Sequence, residues 1–89
     1  MPLTKIRKEI DKLDHDLVKL LKKRKGLIQK VAQIKKKHKL PLVQKAREAE
    51  IDKKLAKFAK DHKLEKRFLQ KIWKNMIDES KAIQKKIIK

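Results

Sequence analysis

From Ile6 onward, apolar residues fall at alternating spacings of four and three: Ile6, Ile10, Leu13, Leu17, Leu20, then Arg24, and again Leu27, Val31 and Ile34. This is a heptad stripe with one charged intruder, and it predicts a single helix. Thr4 is the expected N-cap. The helix should end at about 37–39, because Pro41 biases residue 40 away from helical backbone. A second segment, about Val43 to His62, carries Ile51, Leu55, Phe58 and Ala59 on one face. A third, about Glu65 to Ile88, carries Leu69, Ile72, Trp73, Met76, Ile77, Ile83, Ile87 and Ile88. The connection at Asp61–Leu64 holds no Gly or Pro, so that boundary is weakly marked. No internal repeat is present. The expected fold is all-α, a three-helix protomer with a long N-terminal helix.

That first helix is too long for the rest of the chain. Some 34 residues at 1.5 Å each span about 50 Å, whereas a compact chain of this length has a radius of gyration of about 12 Å by the usual scaling. The remaining residues cannot cover the stripe. The economical solution is an intertwined homodimer in which the long helices of two chains pair.

Composition narrows the class. The 89 residues suit one small domain, 1–89, and a chain so short is marginal unless stapled or oligomeric. No cysteine is present, so neither disulfides nor thiolate metal sites are expected. No apolar run suits a membrane span or a signal peptide, which makes the cytoplasm the expected location. Leu, Ile, Val and Phe make up 26 of the 89 residues, enough to fold despite the charge. The net charge of +18 raises a nucleic-acid partner as one reading. The lysines, however, are spread over all three helices, and stacking aromatics are nearly absent.

Polar residues that interrupt the apolar stripes carry more information. Arg24 occupies a core heptad position, and burying an unpaired guanidinium is costly. Lys35 lies 11 residues further, a rotation of about 20° and a rise of about 16 Å, so both can reach an anion on one face. Ser80 and Gln84 interrupt the stripe of the third helix, and Arg47 and Glu48 open the second beside Ile51. Arg7 stands about 25 Å and about 100° from Arg24 on the same helix. The two can share a small ligand only across a dimer.

Simpler readings exist for each residue. A lone core Arg commonly pairs with a local carboxylate, and a buried Gln can set register. His15, His38 and His62 have no ligand spacing and read as surface residues, and no metal site is expected. The 29 basic residues include only four arginines, Arg7, Arg24, Arg47 and Arg67. In a chain so ready to use Lys, Arg at those positions suggests a need for the bidentate fork that grips carboxylate or phosphate.

These residues resemble the all-helical, type II chorismate mutase family. The resemblance rests on Ile6-Arg7-Lys8-Glu9-Ile10-Asp11, Leu13-Asp14, Leu20-Leu21-Lys22-Lys23-Arg24 and Val31-Ala32 with Lys35. It continues through Pro41-Leu42-Val43, Arg47-Glu48-Ala49-Glu50-Ile51 and Ile77-Asp78-Glu79-Ser80-Lys81-Ala82-Ile83-Gln84. Each piece is weak alone; in order and at the family's spacing they are highly specific.

The resemblance implies a cofactor-free isomerase that converts chorismate to prephenate in phenylalanine and tyrosine biosynthesis. It implies an intertwined homodimer with two sites, each completed by Arg7 from the other chain. Arg7 and Arg24 match the positions that bind the two substrate carboxylates, assisted by Ser80. Lys35 and Gln84 match those that address the ether oxygen, Glu48 the one that holds the ring hydroxyl, and Arg47 a neighbouring basic residue. Val31, Ile51 and Ile77 match apolar walls. Many members carry Asp where this chain has Gln44, which leaves the ring hydroxyl to Glu48 and backbone. An isochorismate-pyruvate lyase of the same fold is the nearest alternative, and a basic helical nucleic-acid-binding protein the alternative from another class.

Overall fold

The computed structural model describes residues 1–88. Lys89, the last residue of the expected domain, lies outside the described residues. Three helices make up the fold, α1 (Pro2–His38), α2 (Lys45–His62) and α3 (Lys66–Ile88), with no strand among the described residues. None of these helices is long and apolar enough to cross a membrane.

The start of α1 differs from the sequence expectation. Pro2 occupies the first turn, and Met1 rather than Thr4 takes the N-cap position without a side-chain hydrogen bond. Proline suits this place, since its φ is already helical and its missing N–H would have had no partner. The second helix begins two residues later than expected, after Gln44 in extended backbone. It closes as expected at His62.

Both α1 and α2 end on the same tripeptide, His-Lys-Leu, at 38–40 and 62–64. Lys39 (φ 54°) and Lys63 (φ 55°) take the left-handed conformation. The Leu40 N–H then donates to the Lys35 carbonyl and the Leu64 N–H to the Ala59 carbonyl, each at 2.9 Å. These are the backward bonds of a Schellman cap, a position where glycine is usual. Left-handed backbone costs an L-residue ~1–2 kcal/mol. Lys63→Gly should therefore stabilise the fold by about 1 kcal/mol after the greater unfolded-state freedom of glycine is counted. A thermal melt should show a rise of ~4–8 °C.

Helix α3 is the centre of the fold. Both α1 and α2 pack on it, and among the described residues α1 and α2 do not pack on each other. Leu55 and Ala59 of α2 meet Leu69 of α3 in the small core, flanked by Ile51 and Trp73. Ala32 is the only apolar residue of α1 that its own chain buries, among the described residues. The heptad residues of α1 from Ile6 to Ile34, Arg24 aside, are each between 40% and 67% exposed. The molecule measures 56 Å along its long axis, and its radius of gyration is 16.3 Å. A compact chain of this length would have ~12 Å. The single chain therefore presents an apolar stripe to solvent along most of α1.

Candidate active site

The gap between α1 and the start of α2, floored by α3, forms a cavity of about 290 Å³. This lies at the lower end of the ~300–1,000 Å³ typical of small-molecule sites. Three of its polar side chains, Arg24, Ser80 and Gln84, come from places where polar residues interrupt the stripes. On α1 and α3 the interruptions meet. The Arg24 guanidinium donates to Ser80 Oγ at 2.7 Å, and the Ser80 hydroxyl donates to the Met76 carbonyl at 2.8 Å. Ser80 is buried. Its proton is committed to backbone and no histidine lines the cavity, so it is not set up as a nucleophile.

One turn along α3, buried Gln84 faces Lys35. The Lys35 ammonium donates at 2.7 Å to Gln84 Oε1 and at 2.7 Å to the Leu42 carbonyl. The second bond fastens the segment after Pro41 back onto α1. An ammonium has three donors and no acceptor, so Lys35 keeps one proton for a ligand. For the same reason it must face the amide oxygen of Gln84. The amide NH₂ is thereby left as a donor to the cavity. Two donors from different helices are thus held side by side by a shared hydrogen bond.

The first turn of α2 supplies the opposite wall. Glu48 Oε2 lies 3.4 Å from Lys81 Nζ, both side chains being partly buried. Arg47 reaches the rim and pairs with Glu50 along the helix. Lys54, 3.4 Å from Glu50, joins that exposed pair, and the hydrogen bonds from Lys54 and Arg47 hold the Glu50 carboxyl below the ordinary carboxylate range. Val31, Ile51 and Ile77 provide apolar lining.

The site is short of negative charge. Arg24 has no ion pair among the described residues, so the local-carboxylate reading of this core arginine does not hold: its partner is a neutral hydroxyl. Burial, and then repulsion from Arg47, lowers the Arg24 pKa from its ordinary value. Burial likewise lowers that of Lys35. Cations collected without counter-ions, and made less comfortable by it, describe a receptor for an anion. A ligand with two carboxylates would relieve both.

Six of the residues singled out in the sequence, Arg24, Lys35, Arg47, Glu48, Ser80 and Gln84, line this one cavity. Arg7 does not: it is exposed on α1, ~25 Å along the helix from Arg24. Sequence reasoning missed three participants. Lys81 carries no distinguishing signal among 25 lysines, apart from following Ser80 directly. Ile28 lies off the heptad stripe of α1 and lines the cavity nonetheless. The Leu42 carbonyl is a backbone group, which no residue pattern announces.

Residues 6–85 match the family described as chorismate mutase type II. A chorismate mutase of Methanocaldococcus jannaschii is 34% identical over 97% of this chain and 87% of its own length. A bifunctional chorismate mutase/prephenate dehydratase of Buchnera aphidicola (subspecies Acyrthosiphon pisum) is 35% identical over 93% of this chain, which corresponds to 22% of that protein. A 4-amino-4-deoxychorismate mutase of Streptomyces venezuelae is 31% identical over 86% of this chain and 75% of its length. The match runs from the exposed stripe of α1 through the cationic cavity to Gln84, and the chain therefore belongs to the type II chorismate mutase family.

Proposed function

We propose that this protein is a chorismate mutase, converting chorismate to prephenate for phenylalanine and tyrosine synthesis, and that it works as an intertwined homodimer. The observation that carries the reading is the Lys35–Gln84 pair. The reaction is an intramolecular [3,3] rearrangement in which a C–O bond breaks while a C–C bond forms. It needs no nucleophile and transfers no proton. Negative charge grows on the ether oxygen as the C–O bond lengthens, and an ammonium and an amide N–H already in place stabilise it without reorganising.

The remaining residues hold the substrate in its reactive shape, with the enolpyruvyl arm folded over the ring. Arg24, kept in position by Ser80, takes one carboxylate. The partner's Arg7 takes the other. Arg47 adds positive charge at the rim, and Glu48 accepts the hydrogen bond of the ring hydroxyl. Glu48 is an acceptor, which suits a hydroxyl, and the Arg47–Glu48 pair together with Ser80 favours the mutase over an isochorismate-pyruvate lyase.

The dimer rests on two observations. The apolar stripe of α1 is uncovered in the single chain. Arg7 also stands too far from Arg24 to reach a shared ligand on the same helix. A partner α1 running antiparallel covers the stripe and carries its own Arg7 toward the first chain's cavity.

The purified chain, given chorismate without added metal or cofactor, should form prephenate. Its kcat/KM should be flat between pH 6 and 8, because the amide of Gln84 donates without being protonated first. On the alkaline side activity falls as Lys35 loses its proton. kcat/KM reports free-enzyme pKa values, and burial lowers that of Lys35. The fall should therefore begin below the ordinary lysine value of ~10.4. Release of pyruvate from isochorismate in place of prephenate formation would overturn the assignment.

A further inference from the structure

We infer that Lys81 is a specificity-determining residue that makes the site accept a ring hydroxyl and reject a ring ammonium; the inference rests on the mutase reading above. Of the cavity's lining side chains, Glu48 alone is a carboxylate, and its Oε2 lies 3.4 Å from Lys81 Nζ. Both side chains are partly buried, at 38% and 31% exposure, so water screens the pair only in part. Lys81 sits on the wall between this cavity and an adjoining groove of about 410 Å³ between α2 and α3, and Glu48 borders both. Asp78, one turn before Lys81 on α3, borders only the groove. Lys81 pairs instead with the carboxylate that faces the cavity.

This arrangement has a chemical consequence at one point of the ligand. Family members differ in whether the ring carries a hydroxyl or an amine, as the name of the Streptomyces relative records. The amine is allylic and protonated at neutral pH. A hydroxyl can donate to Glu48 while that carboxylate remains paired with Lys81, because a carboxylate has lone pairs enough for both. An ammonium cannot take its place at equal cost. It would bring a like charge against Lys81 at the same oxygen atoms, in a cavity that already holds Arg24, Lys35 and Arg47. With Lys81 removed, Glu48 becomes a free counter-ion for the incoming ammonium, and the discrimination weakens. Lys81 thus acts by setting what Glu48 can accept.

The test is the ratio of kcat/KM for chorismate to that for 4-amino-4-deoxychorismate at neutral pH. The wild-type protein should favour chorismate by roughly 100-fold or more, the effect of placing like charges together in a partly desolvated site. Lys81→Met, close to lysine in length, should narrow the ratio by about tenfold or more, and Lys81→Gln should do the same. Lys81→Arg, which keeps the charge, should hold it near wild type. A role confined to packing would move the two substrates together and leave the ratio fixed. Equal use of both substrates by the wild type overturns the inference, as does an essentially unchanged ratio in the Met and Gln variants. Conversion of neither substrate by the wild type would sink the mutase reading itself. Conversion of chorismate with an unmoved ratio would sink only the role of Lys81.

Discussion

Arg7→Ala and Lys35→Ala proteins should each retain about 1% or less of wild-type kcat/KM, and a refolded equal mixture of the two should recover about a quarter of it. The first figure follows from the value of a charged donor placed at developing or fixed negative charge, ~3–4 kcal/mol, or roughly 10²–10³ in rate. The second follows from counting sites. Random association puts half of the protomers into mixed dimers. In a mixed dimer, the cavity belonging to the Arg7→Ala chain has its own Lys35 and receives an intact Arg7 from its partner. The other cavity lacks both. One working site in two, in half of the dimers, gives a quarter. Refolding is required because an intertwined pair exchanges subunits slowly. A mixture whose activity stays at the average of the two parents would show that each site is made by one chain, and would remove the partner's Arg7 from the mechanism.

This experiment reaches the part of the molecule that one chain leaves open. The stripe from Ile6 to Ile34 was legible from spacing alone, and its exposure in the folded protomer is what that spacing implies when no helix of the same chain can match its length. The end of α1 was legible from Pro41. The turn between α2 and α3 was read at its observed place, but only weakly, because a lysine rather than a glycine takes the left-handed backbone there.

At the cavity, the readable residues were those that contradict their surroundings. Arg24, Ser80 and Gln84 interrupt apolar faces, and such interruptions need a reason. Lys81 interrupts nothing, being one lysine among many on a helix rich in them, and only the position of Glu48 distinguishes it. The +18 charge similarly divides in two. Most of it is a solvated coat whose field can draw in an anion but selects none. Arg24, Lys35, Arg47 and Lys81 are the cations held to specific partners at the cavity.

Gln84→Glu should turn a pH-independent enzyme into an acid-dependent one. At neutral pH the new carboxylate would sit within hydrogen-bond reach of the Lys35 ammonium, since the oxygen it replaces is 2.7 Å away. That cation favours the ionised form, so position 84 would carry a negative charge and no donor across most of the working range. The loss is twofold in kind: an N–H is removed, and an anion is placed where negative charge must develop. Removing the donor alone costs ~10²–10³ in kcat, and the added repulsion increases it. As pH falls and the carboxyl gains a proton, it becomes an O–H donor of similar reach and activity returns. The variant therefore departs from the wild type at neutral pH: it loses rate as pH rises through the carboxyl's titration, whereas the wild type holds its rate until Lys35 deprotonates. Comparison of kcat/KM for the two proteins from about pH 4.5 to 8 reads this directly, with a fall of about tenfold per pH unit on the variant's descending limb. A variant equally impaired at every pH would mean that Gln84 shapes the cavity without donating to the ether oxygen.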